Sequence, residues 1–163
     1  MSELHWKWRL ICVGSLMRGQ LASSMDAYAC TAMEFMQSRL PFNSIDIPNA
    51  DRLKIADMVL EARKWPGVQM RGIIEANAYV RESNPKELIE ERGAALKAYL
   101  IQLGIKEENF CIEPHVLTEE MARNSKGELD IHQIAVTLVP ICEGRCSRLC
   151  NDPRVTPTSK AIQ

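Results

Sequence analysis

Between Asn84 and Gly104 the chain admits little other than an α-helix, and that helix constrains what can surround it. Asn84-Pro85-Lys86-Glu87 combines a capping residue, a proline at the first helical position and a glutamate three residues after the cap. Leu88, Ala95, Leu96, Tyr99, Leu100 and Leu103 recur at the helical period, Glu90, Glu91 and Lys97 fall toward solvent, and Gly104 supplies the stop. A helix with one apolar stripe needs a surface to cover. Its flanks supply one: residues 68–76 set Val68, Met70, Gly72 and Ile74 against Gln69, Arg71, Ile73 and Glu75, which is the alternation of a strand. Residues 109–113 read as a short strand, and 131–139 as another with strong β-branched content. Strands joined by a helical crossover favour parallel pairing.

Upstream, residues 41–48 read as a short strand fenced by Pro41 and Pro48. A helix follows, capped by Asn49 or Asp51, with Leu53, Ala56, Val59 and Leu60 as its apolar stripe and Pro66-Gly67 as its end. Over 26–39, Met25, Ala29, Met33 and Met36 stand at helical spacing with Ser24 as a candidate cap, and a strand reading stays open. Residues 4–17 alternate loosely as a strand with Leu4, Trp6, Trp8 and Leu10 on one face. Residues 119–130 form a polar surface loop, with room for one helical turn, and the Pro- and Thr-containing tail of 151–163 is expected to be poorly ordered. The expected fold is α+β, in the order β-α-β-α-β-β, with a mixed sheet and both helices on one face. Its domain spans 40–141, with an extension over 1–39 packed on it and a cysteine-containing tail over 142–163.

A length of 163 residues suits one domain. With 20 Lys+Arg against 21 Asp+Glu, no basic field is available to hold a phosphate backbone, which excludes nucleic acid as a partner. The apolar stretch of 10–13 is interrupted at Gly14 and Arg18, too short for a membrane span or a signal core.

Six cysteines, Cys12, Cys30, Cys111, Cys142, Cys146 and Cys150, point to disulfides and an oxidising compartment. The alternative makes Cys12, Cys30 and Cys111 small buried apolar residues. Cys142, Cys146 and Cys150 stand four apart and would share a helix face, where zinc with His132 or His115 is conceivable. Structural zinc sites more often use tighter Cys-x-x-Cys pairs, so disulfides are preferred. The C-terminal cysteines are expected to reach back to Cys12 or Cys30, or to form one bridge within the tail. Cys111 and His115 flank Pro114 at a strand end, without the helix start or elbow that activates a thiol. No glycine-rich phosphate loop is present. The chain therefore reads as non-enzymatic, with no cofactor and no metal.

Three phrases carry a resemblance. Gly72-Ile73-Ile74-Glu75 ends a strand, Leu88-Ile89-Glu90-Glu91-Arg92-Gly93 opens the long helix, and Tyr99-Leu100-Ile101-Gln102-Leu103-Gly104-Ile105 closes it. In this order, over roughly 40–141, the chain resembles the OmpA C-terminal-like family of periplasmic peptidoglycan-binding modules. That family reads Gly-His-Thr-Asp, then Leu-Ser-x-x-Arg-Ala, then Tyr-Leu-x-x-x-Gly-Ile/Val. The resemblance implies a ligand, the diaminopimelate of a peptidoglycan stem peptide. Glu75 would hold its ammonium and Arg92 its carboxylate, with Asn77 and Asn84 as further ligand-binding residues. It also implies a periplasmic location. The chain departs from the family in its longer carboxylate, a longer loop that lacks the family's glycine, and Ile131-His132-Gln133-Ile134 in place of Asn-Arg-Arg-Val. These departures imply weakened binding. The alternative is an envelope protein-interaction domain, either a machine component or an immunity protein inhibiting a wall-degrading toxin, whose partner is gripped by the appended segments.

Overall fold

The structure, a computed structural model, describes residues 30–144, 146–157 and 159–160. The alternating segment of 4–17, together with Ser24, Met25, Ala29, Cys12 and the side chain of Cys30, lies outside the described residues. In chain order the elements are β1 (Cys30–Thr31), β2 (Glu34–Ser38), α1 (Asn49–Ala62), β3 (Gln69–Tyr79), α2 (Pro85–Gln102), β4 (Phe110–Leu117), β5 (Ile134–Ile141) and β6 (Ser159–Lys160). The main sheet has the order β2-β5-β3-β4. β4 lies parallel to β3 across the α2 crossover, and β5 runs antiparallel to both β3 and β2. This is the α+β mixed sheet that the sequence pattern leads one to expect. β1 and β6 form a separate two-stranded antiparallel ribbon.

Both helices cover one face. Ile55, Met58, Val59 and Ala62 of α1 and Leu96 and Leu100 of α2 meet Met36, Ile74, Ile134, Val136 and Leu138 of the sheet in one buried cluster. Each of these side chains other than that of Ala62, taken fully out of water, contributes about 1.5–3 kcal/mol. α2 comes close to the sheet because residue 93 is glycine: a β-carbon there would stand 3.2 Å from Ile112 Cγ2 and 3.5 Å from the Ala76 Cβ.

Several local expectations are corrected. The proline-fenced segment of 41–48 is a loop containing a turn, and the first strand of the main sheet is instead β2, inside the stretch whose methionine spacing suggested a helix. Met36 and Ser38 of β2 face the core while Phe35 and Gln37 face out, so the period of two prevails through pairing with β5. In α1 the buried stripe is rotated: Leu53 and Leu60 are 67% and 54% exposed, and Ile55 and Met58 are buried in their stead. Pro48 holds the N-cap position of α1 without a side-chain cap, and Asp51 accepts a hydrogen bond from Ser38. The tail is more ordered than expected. A 3₁₀ helix over Cys146–Asn151 buries Leu149 in the main core, Val155 joins it, and β6 pairs back onto β1.

Candidate functional site

The site is built where β3 turns into α2. Residues 80–84 make the turn, and Arg92 sits about two turns into α2, on the side that faces the sheet. The Arg92 side chain is fully enclosed, and so is that of Glu82 from the turn. Their groups form a fork: Arg92 Nη2 donates to Glu82 Oε1 at 2.5 Å and Nη1 to Glu82 Oε2 at 3.0 Å. Arg92 also donates from Nη1 to the Asn77 carbonyl at 2.8 Å and from Nε to the Ser44 carbonyl at 2.9 Å. One guanidinium therefore ties together α2, the end of β3, the turn and the loop before α1.

Glu82 is as fully engaged. Besides the fork, it accepts the Asn43 N–H at 2.9 Å and the Tyr79 N–H at 2.8 Å. Burial pushes its carboxyl up. The hydrogen bonds from Arg92, Tyr79 and Asn43 more than offset this, holding it below the usual carboxylate value. Asn43 itself has a left-handed backbone, φ 59°, and its side chain accepts the Ser83 N–H at 2.7 Å. The two loops are thus stitched together through Asn43 and Glu82, and the Phe42 ring stands edge-on to Tyr79 at 5.9 Å between centroids.

Glu75 is elsewhere. β3 does not end at residue 76 but runs on to Tyr79, so Glu75 is in mid-strand, level with Glu113 of β4 and Ala135 of β5. Successive strand side chains alternate in face. Ile74 and Ala76 point into the helix layer that buries Arg92, so Glu75 points out of the opposite face. The expected convergence of Glu75 and Arg92 over one groove is not what the structure shows. Asn77 meets Arg92 through its backbone carbonyl only. Its side chain donates to the His132 carbonyl at 2.8 Å, and its Oδ1 has no hydrogen-bond partner among the described residues. Asn84 adopts a left-handed conformation, φ 47°, makes no side-chain cap, and donates to the Glu87 carboxylate at 3.2 Å. It borders a shallow hollow of about 470 Å³ shared with Pro85, Lys86, Glu87 and Val116, which neither Arg92 nor Glu82 lines.

Beyond the turn, the 118–133 excursion folds under the sheet's other face, where Ala122 and Ile131 cluster with Tyr79. The Tyr79 hydroxyl donates to Glu119 at 2.6 Å, which holds the phenol above and the carboxyl below their usual values. Cys142 and Cys146 form a disulfide, which is the within-tail bridge; Cys111 and Cys150 are also disulfide-bonded, and any reach to Cys12 or Cys30 lies outside the described residues. No helix among the described residues is long and apolar enough to cross a membrane.

The sequence reading found Arg92 and missed Glu82. Nothing in Val80-Arg81-Glu82-Ser83 distinguishes a swallowed carboxylate from a solvated one, since glutamate in a polar turn is ordinarily exposed.

No family model and no curated protein matches the chain. Among solved structures it is similar to the periplasmic domain of Helicobacter pylori MotB at 16% identity. One such structure aligns with a TM-score of 0.51 over 74% of this chain and 80% of that one, and another with 0.50 over 74% and 83%. It is also similar to the OmpA-like domain of FopA1 from Francisella tularensis subsp. tularensis SCHU S4, at 13% identity and a TM-score of 0.50, over 69% of this chain and 77% of that one. The fold is a divergent one of the OmpA C-terminal-like type.

Proposed function

We propose that this OmpA-type fold serves as a non-enzymatic binding module of the bacterial cell envelope, periplasmic, which grips a protein partner and does not take a stem-peptide carboxylate on Arg92. The observation that carries the reading is the closed Arg92–Glu82 fork. A guanidinium that already spends four of its five N–H donors on Ser44, Asn77 and both oxygens of Glu82, with no exposed side-chain surface, offers no face to a ligand. Glu75, on the far face of the sheet, cannot supply the matching carboxylate. The Cys142–Cys146 bridge favours an oxidising compartment, and the likeness to a periplasmic domain favours the same place.

The surface left to work with is protein-like. Phe42 and Val80 stand about half exposed, at 49% and 48%, on the two loops that Glu82 stitches together, with the exposed Arg81 between them and the excursion. Apolar side chains fixed on stapled loops lose little freedom on docking and suit a protein face. The partner class is a component of an envelope machine or a wall-degrading toxin.

Sedimentation with purified sacculi is the test. The wild-type protein is expected to stay in the supernatant. Sedimentation that Arg92→Lys abolishes would overturn the reading in favour of wall binding. In the periplasm, a stoichiometric partner captured by wild type and lost by Phe42→Asp with Val80→Asp is the positive counterpart.

A further inference from the structure

The main sheet has a face that neither helix covers. Met36, Ile74, Val136 and Leu138 point into the helix layer, and Ile112 meets α2 at residue 93. Strand alternation therefore turns Phe35, Thr137, Ile73 and Cys111 to the opposite side. The register sets these four next to one another, one from each strand, as a single row across the sheet. Phe35 is 52% exposed, and Ile73, Thr137 and Cys111 are half-buried. The 118–133 excursion packs on this face at its Tyr79 end.

Cys111, which ends the row, is disulfide-bonded. Cys142 and Cys146 hold each other, so the partner of Cys111 is Cys12, Cys30 or Cys150. Bridged cysteines have Cα atoms about 4.4–6.8 Å apart. Cys150 belongs to the 3₁₀ helix whose Leu149 is buried in the core shared with α1 and α2, across the sheet from the Cys111 side chain. That 3₁₀ helix packs against β1, which carries Cys30 and leads into β2, at the sheet edge opposite β4. Three strand spacings of about 4.8 Å separate the two edges. The backbone of Cys30 thus stands beside the helix of Cys150, which is also disulfide-bonded, and Cys12 is left for Cys111. Residues 13–29, at about 3.3 Å each when extended, have ample reach across the sheet. Cys12 falls in step with Leu4, Trp6, Trp8 and Leu10, the apolar side of the alternating segment. A bridge at Cys12 therefore turns that side down onto the row. Residues 4–12 also bring Lys7 and Arg9, and no acidic residue, to a face where Glu75 and Glu113 are cross-strand neighbours.

We infer that Cys12 bonds Cys111 and Cys30 bonds Cys150, and that residues 4–12 lie across the open face over Phe35, Thr137 and Ile73. The occupant of this face is the chain's own N-terminal segment. An outside partner is left with the loops that carry Phe42 and Val80.

The pairing is tested on the full chain purified from the periplasm, with thiols blocked at lysis and trypsin digestion without reductant. Peptide 107–123 is expected linked to 10–18, and 19–39 linked to 149–154. Peptide 107–123 linked to either of the latter two, or recovered with a blocked thiol, overturns the pairing. The 10–18 link found in a covalent dimer makes a second copy the occupant and overturns the intramolecular assignment. Coverage is read separately, by acrylamide quenching of tryptophan fluorescence. Trp65 is buried in the main core, so a change in quenching reports Trp6 and Trp8. Cys12→Ser and Phe35→Asp are each expected to steepen the quenching slope and shift emission to the red, the second with the Cys12–Cys111 link intact. Should Phe35→Asp fail to fold, Thr137→Glu in the same row takes its place. A slope unchanged from wild type in either variant overturns the coverage, even where the link is found.

Discussion

Two glutamates belong to β3 and the turn that follows it, and they could hardly differ more. On the side reached by α2, Glu82 lies beyond the strand's end, fully enclosed, forked to Arg92 and capped by two backbone amides. On the other side, Glu75 lies in mid-strand beside Glu113 and Ala135, with no ion-pair partner among the described residues. The first carboxylate is part of the architecture and the second is a side chain on a half-open surface. Proximity in sequence to a motif did not decide between them. Strand parity and the length of β3 did.

The comparison can be broken most forcefully by deleting each carboxylate in turn. Glu82→Ala strands a buried guanidinium and is expected to destabilise the protein by about 3–5 kcal/mol in chemical denaturation. Arg92→Ala should do the same from the other side, while the double variant with methionine at 92 should recover much of the loss, because removing both charges removes the burial penalty. Comparable losses for Glu75→Ala would erase the distinction between the two faces.

A smaller effect tests the packing that brings α2 down on the sheet. Gly93→Val places branched carbons where even a β-carbon stands 3.2 Å from Ile112 Cγ2, so a loss of about 1–3 kcal/mol is expected. A shift in the Arg92 environment should accompany it, readable as faster exchange of the Asn43 and Tyr79 amides that bond Glu82.

Acid sharpens the same contrast. Because the folded-state Glu82 carboxyl lies below its ordinary value near 4.5, its stabilisation is fully present above that pH and is lost as pH falls through the folded value. The stability gap between wild type and Glu82→Gln should therefore be constant from neutrality to about pH 5 and narrow below it. A gap that widens in acid would reverse the assignment.

The smallest expected effect is also the control. Glu75→Ala should change stability by no more than about 0.5 kcal/mol, as surface substitutions commonly do. Relief of its like-charge neighbour Glu113 could give the change either sign.

How far the sequence led can be traced through individual residues. The order of the elements and the long helix were legible because Asn84-Pro85, the leucine stripe and Gly104 are local signals that neighbours need not complete. Arg92 was legible through the phrase around it. The stripe of α1 was not, because Leu53 and Ile55 are equally apolar and only the contact with β2 and β5 selects which one turns inward. Around β2 the sequence left helix and strand both open, because Met33 and Met36 satisfy helical spacing, and the pairing with β5 demands alternation.

By itself the sequence determined a mixed α+β sheet under two helices, the position of the arginine and a cysteine set suited to bridging. The sheet, the helices and the cysteines follow from short-range periodicity and residue chemistry, and the arginine from the resemblance of its phrase to the family's. Only the tertiary structure decided which carboxylate that arginine would hold. Where β3 ends, which face Glu75 takes and how the turn delivers Glu82 into a cradle of amides from two other segments are long-range facts, set when separate elements are packed together and their buried polar groups must find partners.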